Sequence, residues 1–250
     1  MKSILSLCFI WFAAFNRASA QVEATNFNKI VPLIHLNEST DTVYKRLDSL
    51  KQARTSSSIS RIFDRDIDFG LNHIRIDLGL NNIPFQIDIL SVNNRVCLYD
   101  VRALDEYDRT LNKKYFKKVE IDSALISDYL KLRNNFYRSH KNTKDLLNDI
   151  EYNKSYAMYC GDGSPETKKG KNIDKLVKEK RTKMLEEMLQ SISCETQAYG
   201  ITGFERLIKQ GYQPDSLVLR IMDHIEKRNS PVLTCGGCID GVLVKPYNGK

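Results

Sequence analysis

The chain has 250 residues, 42% of them apolar and 28% charged, which is ample for a real core built as one large domain or two small ones. Its formal net charge of +7 is modest and gives no ground for a nucleic-acid partner. After the first twenty residues no stretch is long and apolar enough to cross a membrane, which takes about 20 apolar residues.

Met1 to Ala20 reads as a secretory signal peptide. Lys2 supplies the positive start, Ile4 to Phe15 is apolar apart from Ser6, and Ala18-Ser19-Ala20 supplies small residues for cleavage before Gln21. Removing it takes away Lys2, Arg17 and the single Trp11, and lowers the net charge from +7 to +5. The expected product is a soluble exported protein, periplasmic or extracellular. In a eukaryotic secretory route Asn37-Glu38-Ser39 and Asn153-Lys154-Ser155 would be glycosylation acceptors.

Between Gln21 and Asn72 the pattern is weaker. Asn28 to Leu36 suits an extended segment, and Ser39, Thr40 or Asp41 can cap a helix carrying Val43, Leu47 and Leu50 on one stripe. Thr55 to Ser60 reads as a loop. Asp64-Arg-Asp-Ile-Asp68 has the carboxylates of a cation loop but lacks the glycine and distal glutamate of an EF-hand, so the plainer reading is a charged start to a strand.

His73 to Arg102 gives the clearest fold signal. Three alternating apolar runs are joined by Asn81-Asn82 and Asn93-Asn94, and Asn tolerates the positive φ of two-residue hairpin turns. This predicts a β-meander in which Leu80 faces Ile83, Leu78 Phe85, Ile76 Ile87 and Ile74 Ile89. Across the second turn Ile89 faces Leu98 and Ser91 faces Val96. Arg75 beside Asp88 and Asp77 beside Gln86 would line a polar opposite surface. Pro84 cannot donate to a ladder, so the third strand should end near it.

Asp105 to Lys118 reads as a connector, and from Glu120 the apolar period lengthens to that of helices. Ile121, Leu125, Tyr129, Leu132 and Phe136 form one stripe, and Thr143 to Glu151 a second helix with Leu146, Leu147 and Ile150 inward. A longer helix is expected over Asn172 to Ser193, with Ile173, Val177, Met184, Met188 and Ile192 on its apolar side. Two more run from Thr202 to Gln210, stopped by Gly211, and from Pro214 to Arg228. A faint echo displaced by 75 residues relates Ile150, Glu151, Ser155, Cys160 and Gly161 to Ile225, Glu226, Ser230, Cys235 and Gly236.

Chemistry would have to come from the cysteines. Beyond the leader there are five, and in an exported chain they belong to disulfides, with an odd thiol left over. Two bonds among Cys160, Cys194, Cys235 and Cys238 would leave Cys97 as a small core residue. Cys235-Gly-Gly-Cys238 also fits a redox dithiol or, with Cys160 or Cys194, a metal knuckle. Yet no helix follows to activate the first thiol, and no second CxxC or His pair completes a metal set. Cys160 with His224, oriented by Asp223 or Asn229, would make a nucleophile and base. Cys160 to Asn172 lacks P-loop spacing and reads as an exposed loop. The eight bases from Lys168 to Lys183, against Asp174 and Glu179, read as a wet helix face open to an acidic partner or anionic surface.

The expected fold is α+β. An N-terminal part over 21–110 holds an antiparallel three-stranded β-meander at 73–102 with helices. A mainly helical, cysteine-containing C-terminal half follows over 119–250, as a separate domain or around the same core. The expected function is a disulfide-stabilised, non-catalytic binding protein, of inhibitor or immunity type, acting on another protein without a cofactor. The alternative is a cysteine-dependent hydrolase or thiol-redox enzyme using Cys160 or Cys235/Cys238.

Overall fold

A computed structural model describes residues 25–50, 57–81, 83–104, 117–151, 155–161, 163–236 and 239–247. The segment read as a leader, Asn153 and Cys238 lie outside these residues. The protein is α+β, with the five-stranded sheet in the N-terminal half and most of the helices after it. Helix α1 over 25–30 runs into a 3-10 turn, Val31–Leu33, followed by α2 (Thr40–Ser49). Strands β1 (Ser57–Asp68), β2 (Leu71–Leu80), β3 (Ile83–Val92), β4 (Arg95–Ala103) and β5 (Lys117–Ile121) come next. Helices α3 (Ser123–Tyr137), α4 (Thr143–Ile150), α5 (Lys168–Lys178), α6 (Thr182–Leu189), α7 (Cys194–Lys209) and α8 (Ser216–Arg228) precede a hairpin, β6 (Val232–Gly236) and β7 (Ile239–Val244). The chain divides into two compact units. One takes in the described residues up to Asp64 with Ile74–Asp122, and the other takes in Arg65–His73 with Ser123–Lys250.

In the first unit the sheet order is β1-β2-β3-β4-β5, so the expected meander gains a strand on each side. β5 was hidden by composition, and of β1 only the charged run Asp64–Asp68 reads as strand in the sequence. β1 is serine-rich and charged, and the five residues of β5 carry Lys117 and Lys118, as suits edge strands that must not recruit another chain. The segment expected to be extended over Asn28–Leu36 is instead the end of α1 and the 3-10 turn. Ser39 caps α2 as expected, its hydroxyl accepting from the Thr42 amide, and Val43 and Leu47 are buried.

The turn asparagines adopt the required backbone: Asn81 has φ 52°, Asn93 51° and Asn94 62°. The β3–β4 register corrects one expectation. Ser91 faces Val96, but Ile89 faces Tyr99 rather than Leu98, because Cys97 is the extra residue of a bulge on β4. The bulge turns Tyr99 onto the apolar face beside Ile89 and Val101, under Ile30, Ile34, Val43 and Leu47. Pro84 is tolerated at the strand end, where its carbonyl accepts from the Leu104 amide.

The opposite face is polar but buried, with Arg75 2% exposed and Asp88 and Asp100 at 0%. Asp88 and Asp100 sit directly opposite each other, a pairing that costs energy unless cations bridge it. Arg75 Nε donates to Asp88 at 2.7 Å, and Arg102 donates to Asp88 while lying 3.6 Å from Asp100. Lys117 Nζ lies 3.7 Å from Asp100.

In the second unit, two predicted helices change. The single helix expected over Asn172–Ser193 is two, α5 and α6. α5 starts earlier, at Lys168, where Thr167 caps it, so Gly170 and Lys171 belong to a helix and not to a loop. It stops because Lys180 turns left-handed (φ 51°), with Lys180 N–H bonded to Val177 O and Arg181 N–H to Leu176 O. That is a Schellman stop without its usual glycine, which left no mark in the sequence. α7 begins at Cys194 behind the Ser193 cap, eight residues before Thr202. On α3 the buried stripe is Ile126, Tyr129, Leu130, Arg133 and Tyr137, so Leu125 and Leu132 face outward. Gly200 and Gly203 let α7 approach α6; a Cβ on Gly203 would lie 2.5 Å from Leu185 Cδ2.

Candidate functional site

The polar centre of the second unit begins at the tip of the β1–β2 hairpin. Asp68 ends β1, and Phe69 and Gly70 turn the chain with φ of 46° and 77°. Glycine takes that conformation easily, whereas a bulky aromatic does so rarely. Packing holds Phe69 there. Its ring stacks on His224 at 5.3 Å and meets Phe136 edge-on at 5.4 Å.

His224 projects from α8, and its Nε2 lies 2.6 Å from Asp68 Oδ1. The carboxylate is 1% exposed and the imidazole 31%, so the couple joins the interior to the surface. Arg228, in the last turn of α8, places Nη1 3.4 Å from Asp68 Oδ2 and donates through Nη2 to Gln197 at 2.6 Å. Gln197 in turn donates to the Tyr137 hydroxyl at 3.3 Å. Burial alone would push the Asp68 carboxyl up, but the His224 hydrogen bond and the Arg228 charge outweigh it and hold it below the ordinary carboxylate range. Burial and the Asp68 charge push the Tyr137 hydroxyl well up, so it stays a neutral donor.

A second buried pair fixes the start of α7. Arg65 binds Glu195 through both guanidinium ends, at 2.5 and 3.2 Å, and Glu195 also accepts from the Leu233 amide at 3.0 Å. Burial raises the Glu195 carboxyl, and the Arg65 charge and hydrogen bond bring it below its usual range.

The cysteines are placed differently from the sequence expectation. Cys160 and Cys235 form a disulfide with Cα atoms 5.3 Å apart. Their separation of 75 residues is the displacement of the echo. Its two segments run in parallel: Tyr156 N–H donates to Leu233 O at 2.7 Å, and Tyr156 bridges to Thr234. Tyr199 accepts the Ala157 amide at 2.9 Å and ties the segment to α7. Cys194, expected in a second disulfide, has a free thiol buried against Ala198 and Val232. Cys97 also has a free buried thiol, pushed up to about 12 by burial and donating to Leu90 O.

No family model, curated protein or solved structure matches the chain. Its chemistry therefore rests on the residues themselves. Of the alternative nucleophile and base, the Cys160 sulfur is bonded to Cys235 and the His224 Nε2 lies against Asp68. The named orienters have other tasks. Asp223 pairs with Lys227 at 2.9 Å, and Asn229 terminates α8 in a left-handed conformation, its Oδ1 accepting from Tyr247 N–H. Among the described residues no group of three or more His, Cys, Asp or Glu is arranged to hold a metal ion. The Asp64–Asp68 run is strand, with Asp64 paired to Arg61 at 3.1 Å.

Asp68, Arg133, Tyr137 and Arg228 carry this buried centre; of these the sequence drew attention only to Asp68, as one carboxylate of the Asp64–Asp68 run. Asp68-Phe69-Gly70 between two strand patterns was the one local signal. The bases from Lys168 to Lys183 are all exposed. Asp174 is bonded to Arg206, and Glu179 is shared by Lys175 and Arg181 at 3.9 and 3.2 Å. A groove lined by Val177, Lys178, Lys209 and Gln210 carries the positive face from α5 onto α7.

Proposed function

We propose that the chain is an exported, disulfide-stapled binding protein that acts without catalysis, and that its basic α5–α6 face takes an acidic protein surface. The observation that carries this is the Cys160–Cys235 disulfide, which uses both sulfurs on which a cysteine enzyme would depend. Export is supported by the leader pattern of Lys2, Ile4 to Phe15 and Ala18-Ser19-Ala20. An acidic partner is supported by eight exposed bases whose neighbouring carboxylates are already engaged. An inhibitor or immunity-type role suits a face of this kind, since complementary charge speeds encounter and sets orientation.

A 20-residue polyglutamate peptide tests the charge reading by fluorescence anisotropy. Saturable binding should weaken between 50 and 500 mM salt, where the screening length shortens from beyond 10 Å to a few ångström. It should vanish in the triple substitution Lys171→Glu, Lys178→Glu and Lys183→Glu. Binding that ignores both changes, or no binding at low salt, would overturn the proposed face.

A further inference from the structure

Arg133 is the largest fully buried side chain among the described residues, at 0% exposure. Its Nη2 donates to Ser191 O at 2.6 Å and its guanidinium lies 4.2 Å over the Tyr137 ring. Its Nε and Nη1 meet no hydrogen-bond acceptor among the described residues, and no carboxylate pairs with it there. The carboxylate bound to the same loop, Asp149, is taken up by Ser191 Oγ at 2.9 Å and Ile192 N–H at 2.8 Å. A buried guanidinium normally has an anionic partner, because hydrophobic surroundings penalise an uncompensated charge.

Tyr129 lies one helical turn before Arg133, on the same face of α3, and its buried hydroxyl also meets no partner among the described residues. Arg228 adds a second buried guanidinium, with Nε likewise unmatched there. Tyr129 and Tyr137 each feel the charges of Asp68, Arg133 and Arg228, so these groups share one neighbourhood. Arg228 has the Asp68 carboxylate beside it at 3.4 Å, whereas Arg133 has no carboxylate paired with it among the described residues, and the unmatched atoms of Arg133 and Tyr129 can all donate.

We infer that the helical unit binds one small monovalent anion, halide or carboxylate, held by the unmatched Arg133 N–H groups and the Tyr129 hydroxyl. Arg228 supplies the surrounding positive potential and keeps Asp68 for its own partner. The anion is a structural ligand that completes the charge balance of the centre.

Thermal melts of the purified protein test this with sodium chloride and sodium acetate, each titrated at constant ionic strength against sodium gluconate, a much bulkier anion. The expected result is a saturable rise in midpoint with at least one small anion. At ten times the half-saturating concentration the folding equilibrium should shift about elevenfold. A rise with chloride alone assigns a halide site; a rise with acetate assigns a carboxylate site. Arg133→Met should melt at one temperature in all three salts. Tyr129→Phe, which removes only the hydroxyl, should fold and need several-fold more anion for half-saturation. Superimposable wild-type melts in all three salts would overturn the site, as would an unchanged half-saturation in Tyr129→Phe together with an undiminished response in Arg133→Met.

Discussion

Removing the Cys160–Cys235 bond by the double substitution Cys160→Ser and Cys235→Ser should cost the second unit much of its stability. The bond spans 75 residues, and the chain-entropy relation for a loop of that length gives about 4.5 kcal/mol at 25 °C. The hydrogen bonds between Tyr156 and β6 survive the substitution and hold the two segments together in the native state. The loss therefore comes chiefly from the unfolded chain, and a measured value of about 3–4.5 kcal/mol is expected. Urea denaturation followed by far-UV circular dichroism at the helical band reads it directly. The midpoint should fall by roughly 1–3 M at an unchanged or slightly larger slope. A loss below about 1 kcal/mol would refute the assignment of this bond as the main staple of the helical unit.

Other expectations follow from the same interior. Gly203→Ala places a methyl group against Leu185 and should cost about 1–3 kcal/mol in chemical denaturation, and Leu185→Ala should recover part of that cost in the double variant. Purely additive losses would show that α6 and α7 are not in tight contact there. Asp68→Asn removes the carboxylate between His224 and Arg228 and should cost about 3 kcal/mol, whereas Asp223→Asn on the exposed side of α8 should cost under about 0.5 kcal/mol. Asp68 and Glu195 both titrate below their unfolded values, so the unfolded chain binds more protons in acid. Their contribution is present above about pH 4 and is lost as the pH falls through their folded values, which urea titrations between pH 7 and pH 2.5 would follow. A stability that rises on acidification would contradict both assignments.

The parts of the fold legible in the sequence were those with strong local chemistry. The Asn81 and Asn93-Asn94 turns, the alternation from His73 to Arg102, the Ser39 cap and the Pro214 to Arg228 helix needed nothing beyond neighbouring residues. The rest depended on tertiary context. Cys97 forms a bulge because the packing of Tyr99 prevails over perfect alternation, and a bulge of this kind leaves no turn residue behind. Lys180 stops a helix where glycine would have announced it. β1 and β5 are edge strands, and the serines that open β1 and the lysines of β5 resemble a loop. Arg133 was invisible for the opposite reason: an arginine flanked by Leu132 and Asn134 reads as a surface residue, and only the fold turns it inward while Leu132 turns out. The disulfide partners were among the four candidate cysteines, but spacing could not choose between Cys194, Cys235 and Cys238 as the mate of Cys160.

The most direct test of the proposed stapled binding protein is a thiol map of protein purified without reductant. Alkylation before and after denaturation, read by peptide mass spectrometry, should find Cys160 linked to Cys235 and protected in both samples. Cys97 and Cys194 should react only once the protein is unfolded. Rapid native-state labelling of Cys160 or Cys235 would contradict the staple and put a reactive thiol, and with it cysteine chemistry, in its place.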